Sequence, residues 1–397
     1  MLVQFTVKNV LSFKEEATLD MTAINAYKEH KCNLIDIGKK EKYIRVAAIY
    51  GANASGKSNF YLAMRYFQKI VLESLNSVED GKSSAIEKYY YPFMFENKME
   101  DSEFQIVEIL GDYEYCYGFA YNAEYIAAEW LYRKNLNTNR RVMIFERTRE
   151  MLAFGPSVKK ECELFQEQIP TETLTLTFFN KLKLKTDIFK KLYKGIMSTL
   201  IASADSCENP MILDQFLPEI IDSDKEKLLE FMNAIDTGIK DIAYDDSDRE
   251  IDFITYHTGK EGEEYELDLY SESEGTIKSI VLFIYAWIAV PRNGSMFVDE
   301  LNVKLHPLLL KFIIDLFYEE HSRAQLIYTT HDTTLMDKKF FRRDQIWFVQ
   351  KDEFGYSELS ALSDYKVRSD ASFEKDYLAG VYGGIPFLKE FTLREDV

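Results

Sequence analysis

The sequence predicts an α/β protein: a parallel sheet flanked by helices, joined to an antiparallel β lobe and interrupted by a helical insertion. Three observations predict it. An apolar run, RVAAIY at 45–50, leads directly into a glycine loop and then a helical pattern. From 87 to 155 short strand-like runs follow one another between turn residues. In the last third, helix-like and strand-like runs alternate, the pattern of a parallel sheet with crossover helices.

The elements follow in order. LVQFTVKNV at 2–10 alternates apolar and polar residues like a strand, and ATLDM at 17–21 is its hairpin partner. RVAAIY suits a strand buried on both faces. NFYLAMRYFQKIVLESL has helical spacing, with Tyr61, Leu62, Met64 and Phe67 or Ile70 near one side. The β lobe is expected from YYYPFMF, EFQIVEIL, YEYCYGFAY, YIAAEWLY, RVMIFER and MLAFG, with turns at GD (111–112) and NLNTN (135–139). SVKKECELFQEQI, TDIFKKLYKGIMSTLIA and DKEKLLEFMNAI read as helices. IKDIAYDD, EIDFITYHT and EYELDLY return to strands. The final stretch predicts a helix at 275–290, a strand SMFVD, a helix at 306–321, a strand QLIYTT, then QIWFVQ and YSELSAL. Three parts are expected: 1–155 and 241–397 forming the two halves of one head, and 156–240 as the insertion.

The 397 residues are 46% hydrophobic and 29% charged, the make-up of a folded chain. Cys32, Cys116, Cys162 and Cys207 form no CxxC pair, which argues against a zinc ribbon or disulfide framework and fits a reducing compartment. The N-terminus lacks a signal-peptide pattern. The longest apolar run, IVLFIYAWIAV, has 11 residues, short of the ~20 that span a bilayer. A buried core helix, no membrane partner and a cytoplasmic location are expected. The net charge of −18 lowers the expectation of direct nucleic-acid binding.

Four segments carry chemistry. YGANASGKSN at 50–59 has the GxxxxGKS spacing of a P-loop, in the strand–loop–helix context that motif requires. Gly51, Asn53, Ala54, Ser55, Gly56, Lys57, Ser58 and Asn59 are the candidate nucleotide-binding residues. Backbone N–H groups would cradle phosphates, Lys57 would reach the β- and γ-phosphates, and Ser58 would ligate Mg²⁺. SMFVDEL at 295–301 ends an apolar strand in two carboxylates. Asp299 would hold Mg²⁺, and Glu300 would polarise the attacking water. QLIYTTHD at 325–332 delivers His331 to a strand end, where it would sense the γ-phosphate. SESEGTIKSI at 271–280 places a small polar cluster at the start of the apolar helix, a further anion site. Each of the last three, taken alone, also reads as an ordinary turn, core histidine or helix cap.

The order of these segments resembles the ABC type of ATPase head. Within that class the chain resembles standalone bacterial AAA ATPases related to the OLD, RecF and SMC heads, nearest the Rlo/AbiL-type ATPases of phage-defence operons. FTVKNVLSFKE, YGANASGKSN, YGFAYNAEYIAAEWLY, SEGT, VDELNVKLHPLLL, YTTHD, RRDQIWFVQKD and YLAGVYGGIPFL carry the likeness. It implies a head-to-tail homodimer sandwiching two ATP molecules. In that dimer Ser273, Glu274, Gly275 and Thr276 of one protomer cap the γ-phosphate held by the other. Glu300 is then the catalytic base, His331 the switch, and Asn302 lies in the loop crossing the interface. The SEGT signature departs from the LSGGQ of transporters and implies slow or partner-gated hydrolysis. Leu11 stands where related heads carry a basic residue, and no glutamine takes the Q-loop position, Gln105 falling in a strand.

Rival readings have less support. The NK at 180–181 lacks the aspartate and strand of a GTPase base-reading motif, so ATP is expected. The kinase motif set is absent. The 332–397 stretch is too short for a fused TOPRIM nuclease, so any nuclease is expected as a separate TOPRIM-type partner. Two basic segments, RKNLNTNRR at 133–141 and the lysines Lys181, Lys183, Lys185, Lys190, Lys191 and Lys194, are solvated faces or contacts to nucleic acid or a partner. Three functions are therefore carried: an ATP-gated switch for an antiviral effector, a DNA-repair or chromosome-maintenance head, and a scaffold with structural ATP.

Overall fold

The computed structural model describes residues 1–75, 83–96, 100–203, 210–247, 251–368 and 371–385. Its centre is a six-stranded sheet ordered Leu200–Ser203, Ser295–Asp299, Gln325–Thr329, Val46–Tyr50, Ile346–Lys351, Ser357–Ala361. The first five strands run parallel and the last is antiparallel to its neighbour. The parallel strands are mostly apolar, and Val46–Tyr50 wholly so, because both faces are covered. Along Val46–Tyr50, Ala47 and Ile49 enter one core while Val46, Ala48 and Tyr50 enter the other.

The first core lies between this sheet and a seven-stranded antiparallel lobe. The lobe contains the hairpin Leu2–Lys8 and Ala17–Asp20, followed by Ser102–Leu110, Tyr113–Tyr121, Ile126–Asn135, Arg141–Thr148 and Leu152–Phe154. The P-loop helix, Lys57–Glu73, is the wedge between the two sheets. Its Phe60, Met64, Phe67, Ile70 and Val71 are buried, and Phe67 meets Phe5, Phe104 and Phe119 at ring-centroid distances of 5.7–5.8 Å. Aromatic pairs of this kind add to the area they bury.

The second core is covered by the helices Pro210–Ala234, Glu274–Arg292 and Pro307–Asp315. The helix Glu274–Arg292 is long and apolar enough to cross a membrane by length and composition. In this fold 67% of its most apolar window is buried, with Ile280, Val281, Leu282 and Ile284 in the second core. A three-stranded sheet, Ile239–Asp245, Asp252–Thr258 and Glu264–Asp268, leads into it.

Three local expectations need correction. YYYPFMF is not a strand: the short helix Ala85–Lys88 is followed by an irregular segment. Pro92 has no N–H for a ladder, and the rings pack on the P-loop helix instead, Tyr91 stacking on Tyr66 at 5.1 Å. The helix within TDIFKKLYKGIMSTLIA stops at Met197, and Leu200–Ser203 becomes an edge strand parallel to Ser295–Asp299. A parallel partner from another part of the chain overrides the helical pattern there. The helix at 306–321 gives way after Asp315 to a 3₁₀ turn, Leu316–Tyr318. Glu250 of EIDFITYHT and the last three residues of YLAGVYGGIPFL lie outside the described residues.

Candidate active site

The site forms at the C-terminal ends of the parallel strands, where open α/β sheets bind ligands. Val46–Tyr50 runs into the loop 51–56, in which Ala54 (φ 62°) and Gly56 (φ 115°) are left-handed. Gly56 is required twice over. Its φ disfavours other residues, and a Cβ there would sit 2.4 Å from Ser357 Oγ. At Gly51 a Cβ would sit 2.4 Å from the Val349 carbonyl oxygen.

Lys57 opens the helix and is 4% exposed. Its ammonium donates to the carbonyl oxygens of Gly51 and Ala52, both at 2.9 Å, and lies 3.4 Å from His331 Nδ1. Burial pushes its pKa down to about 8, against the opposing pull of Asp299 and Glu300. His331 is also held below its ordinary value, first by burial and then by the Lys57 cation. A neutral ring that accepts from the ammonium at Nδ1 carries its proton on Nε2. That nitrogen points toward Glu300, 4.0 Å from Oε1.

Thr329 couples the two carboxylate residues. Its hydroxyl donates to Asp299 Oδ1 at 2.5 Å and accepts from the Glu300 N–H at 2.8 Å. Glu300 itself is left-handed, φ 54°, which turns the chain away from the strand immediately after Asp299. Lys278, 2% exposed, donates to the carbonyl oxygens of Glu300 (3.3 Å) and Val303 (2.7 Å), fixing the 300–304 turn against the helix. Thr330 donates to Asn302 at 2.8 Å.

These elements enclose a cleft of about 540 Å³ lined by residues 53–59 with Glu300, His331 and Lys351. A loop of backbone donors, a buried ammonium and a helix N-terminus fit a polyphosphate. Ser55 Oγ is buried there without a partner. For Mg²⁺, the Ser58 hydroxyl and the Asp299 carboxylate are hard oxygen donors of the right type. Mg²⁺ takes only one or two protein oxygens beside substrate phosphates and water, so no larger protein cage is needed.

Of the expected site residues, the structure gathers the P-loop, Glu300 and His331 around this cleft, with Asp299 behind them. Asn302 is held by Thr330 in the adjoining turn. The Ser273–Thr276 segment does not line the cleft. It caps its own helix, Ser273 Oγ accepting from the Thr276 N–H at 3.1 Å, and Ser273 and Glu274 are exposed. Gly275 leaves room for Lys304 O, 3.0 Å from where its Cβ would be. Gln105 accepts from Trp130 Nε1 on the lobe and lines a different cavity.

Three contributors escaped the sequence reading. Thr329 stands in YTTHD, but nothing local marks its bond to Asp299. Ser12 and Ser357 brace the P-loop: Ser357 Oγ donates to Ser55 O (2.6 Å) and is hydrogen-bonded to Ser12 Oγ (2.8 Å), which accepts from Asn59 (2.7 Å). Ser12 sits beside Leu11 in the turn that follows the first strand.

A family model described as "AAA domain, putative AbiEii toxin, Type IV TA system" matches residues 46–158 and 201–337. No curated protein matches the chain. Among solved structures, the SMC head domain from Thermotoga maritima is similar at 11% identity and a TM-score of 0.41, covering 92% of this chain and 99% of that one. An SmcHead bound to the C-winged helix domain of ScpA is similar at 13% identity and a TM-score of 0.42, covering 94% of this chain and 99% of that one.

Proposed function

The chain belongs to this AAA family, and from that premise we propose that it is an ATP-hydrolysing switch whose protomers close head to tail on nucleotide. The observation that carries the reading is the convergence of Lys57, Glu300 and His331 on one cleft, with Thr329 tying Asp299 to the Glu300 backbone.

The steps follow from this chain's groups. The loop N–H groups and the helix N-terminus bind the phosphates. Lys57 exchanges its loop carbonyls for phosphate oxygens, and the bound anion restores its full charge. Ser58 and Asp299 would hold Mg²⁺, which when bound neutralises phosphate charge. Glu300, its backbone N–H anchored, orients the attacking water and takes its proton. His331 donates from Nε2 toward the terminal phosphate. Ser273–Thr276 takes no part in lining its own cleft and Ser273 and Glu274 are exposed, so it is offered to the nucleotide of a second copy, with Asn302 in the loop between them.

The family description names a toxin–antitoxin system, which supports a partnered role. We assign the partner as a separate effector of antiviral defence, a TOPRIM-type nuclease or toxin, released or restrained by dimer closure.

The test is the solution mass of Glu300→Gln by light scattering, with and without Mg-ATP, beside phosphate release by the wild type. A shift from one to two protomers with ATP, and turnover lost only in the variant, is expected. A mass that ignores ATP, or a variant that hydrolyses at the wild-type rate, would sink the mechanism.

A further inference from the structure

Residues 239–274, which form the three-stranded sheet ahead of the helix Glu274–Arg292, hold thirteen carboxylates and three basic side chains. More than half of the chain's net charge of −18 therefore sits in one small sheet. One face of the sheet, with Ile242 and Phe253, enters the second core. Register sets the other. Asp268 lies beside Ile254, Glu266 beside Tyr256, and Asp252 directly opposite Asp245. Like charges directly opposite one another destabilise a sheet. Among the described residues the one ion pair on this face is Lys225 to Asp241, at 2.6 Å. Charge guards edge strands against unwanted pairing, which accounts for carboxylates at the rim but not for Asp252 on the middle strand.

The strand Glu264–Asp268, EYELD, ends the sheet with all five side chains exposed. Glu264, Glu266 and Asp268 recur every second residue and so share one face. No group of carboxylates among the described residues is placed to hold a metal ion, and a carboxylate row repels phosphate chains. What fits it is a row of cations at the same spacing.

The chain carries such a row. KLKLK, at 181–185, sets Lys181, Lys183 and Lys185 two residues apart and exposed, while Leu182 and Leu184 pack against the first core. Leu182 is extended, φ −83° and ψ 152°, and the Lys185 N–H donates to Glu161 Oε2 at 2.8 Å. Same-face side chains of extended chain recur at about 6.7 Å, so the two rows match in step. A lysine run alone reads as a solvated face. This one has an acidic row of the same period to meet, and none of the six charges has an ion pair among the described residues of its own protomer.

We propose that Lys181–Lys185 of one copy docks on Glu264–Asp268 of a second copy, lysine over carboxylate, as an interface separate from the nucleotide cleft. Neither row lines that cleft. Each copy offers both rows, so a two-fold pair of copies makes the contact twice. Exposed ion pairs are individually weak and screened by salt, so the interface forms at high protein concentration and low ionic strength, with or without nucleotide.

Zero-length carbodiimide cross-linking, which joins a lysine only to a carboxylate it touches, tests this on the full chain. Isotope-labelled and unlabelled protein are mixed, and peptides are read by mass spectrometry. Labelled-to-unlabelled links between 181–185 and 264–268 are expected, falling about tenfold between about 0.05 M and about 0.5 M salt. Reversing one row, by Glu264→Lys, Glu266→Lys and Asp268→Lys or by Lys181→Glu, Lys183→Glu and Lys185→Glu, removes the association, which is then read by sedimentation. Mixing the two reversed chains restores it. Phosphate release by each reversed chain, unchanged from wild type, reports that it is folded. Links confined to single copies overturn the proposal, as do links from 264–268 spread over lysines outside 181–194. Reversed chains that fold but do not associate on mixing also overturn it. An acidic row that stays unlinked in the purified chain overturns it too, and leaves that face to a basic partner protein.

Discussion

Replacing Thr329 by valine tests the site at its least obvious joint. The side chains are nearly the same size, so packing is kept and one hydroxyl is lost. Thr329 is fully buried and Asp299 is 8% exposed, so water does not readily take over its two hydrogen bonds. Each buried group left unsatisfied costs about 1–3 kcal/mol, giving about 2–6 kcal/mol for the carboxylate oxygen and the Glu300 N–H together. The kinetic effect is separate. Without its anchor the left-handed Glu300 loses its aim at the attacking water, and small misplacements of that kind cost about 10²-fold in rate. ATP binding, which depends on the loop and Lys57, is kept. The assay pairs phosphate release at saturating Mg-ATP with urea unfolding. Thr329→Ser, which retains the hydroxyl, should restore most of both. A valine variant that is destabilised but turns over within about threefold of wild type would refute the link from Thr329 to Glu300.

Other predictions follow from separate parts of the molecule. Lys57→Ala removes the buried ammonium and should abolish nucleotide binding, read by fluorescence of a labelled ATP analogue. Raising the pH toward 9 should weaken ATP binding about tenfold, because Lys57, at about 8 in the free protein, must be charged to bind. A flat profile from pH 7 to about 9 would contradict that. Ser357→Ala removes the brace on Ser12 and the Ser55 carbonyl, and should weaken ATP several-fold with little change in melting temperature. Glu108 is fully buried with one oxygen unpartnered, and desolvation raises its pKa to about 7. A folded pKa above the unfolded one means that stability falls as pH rises from about 4.5 to about 7. Glu108→Gln should therefore stabilise the protein by about 3 kcal/mol at pH 8 and by little near pH 4, measured as unfolding midpoints at both.

The sequence by itself determined the parts whose meaning is local. GxxxxGKS after an apolar strand specifies a phosphate loop because the glycines, the lysine and the helix start act within a single turn of chain. The same holds for strands ending in Asp299 and Glu300 and in His331, and for the alternation that makes a parallel sheet. The tertiary structure decided what depends on distant partners. Strand order sets Ser295–Asp299 beside Gln325–Thr329 and so brings Thr329 to Asp299. It draws Leu200–Ser203 out of a helical pattern into the sheet edge. It brings Ser357 against Ser12 and turns the run 89–95 from an expected strand into an irregular segment whose Tyr89 and Tyr91 rings pack on Tyr66 of the P-loop helix. Such contacts join residues up to 345 positions apart. A hydrogen bond or a stacked ring made across that separation leaves no period in the chain, because hydrophobic periodicity records only which face of an element is buried, and not what buries it.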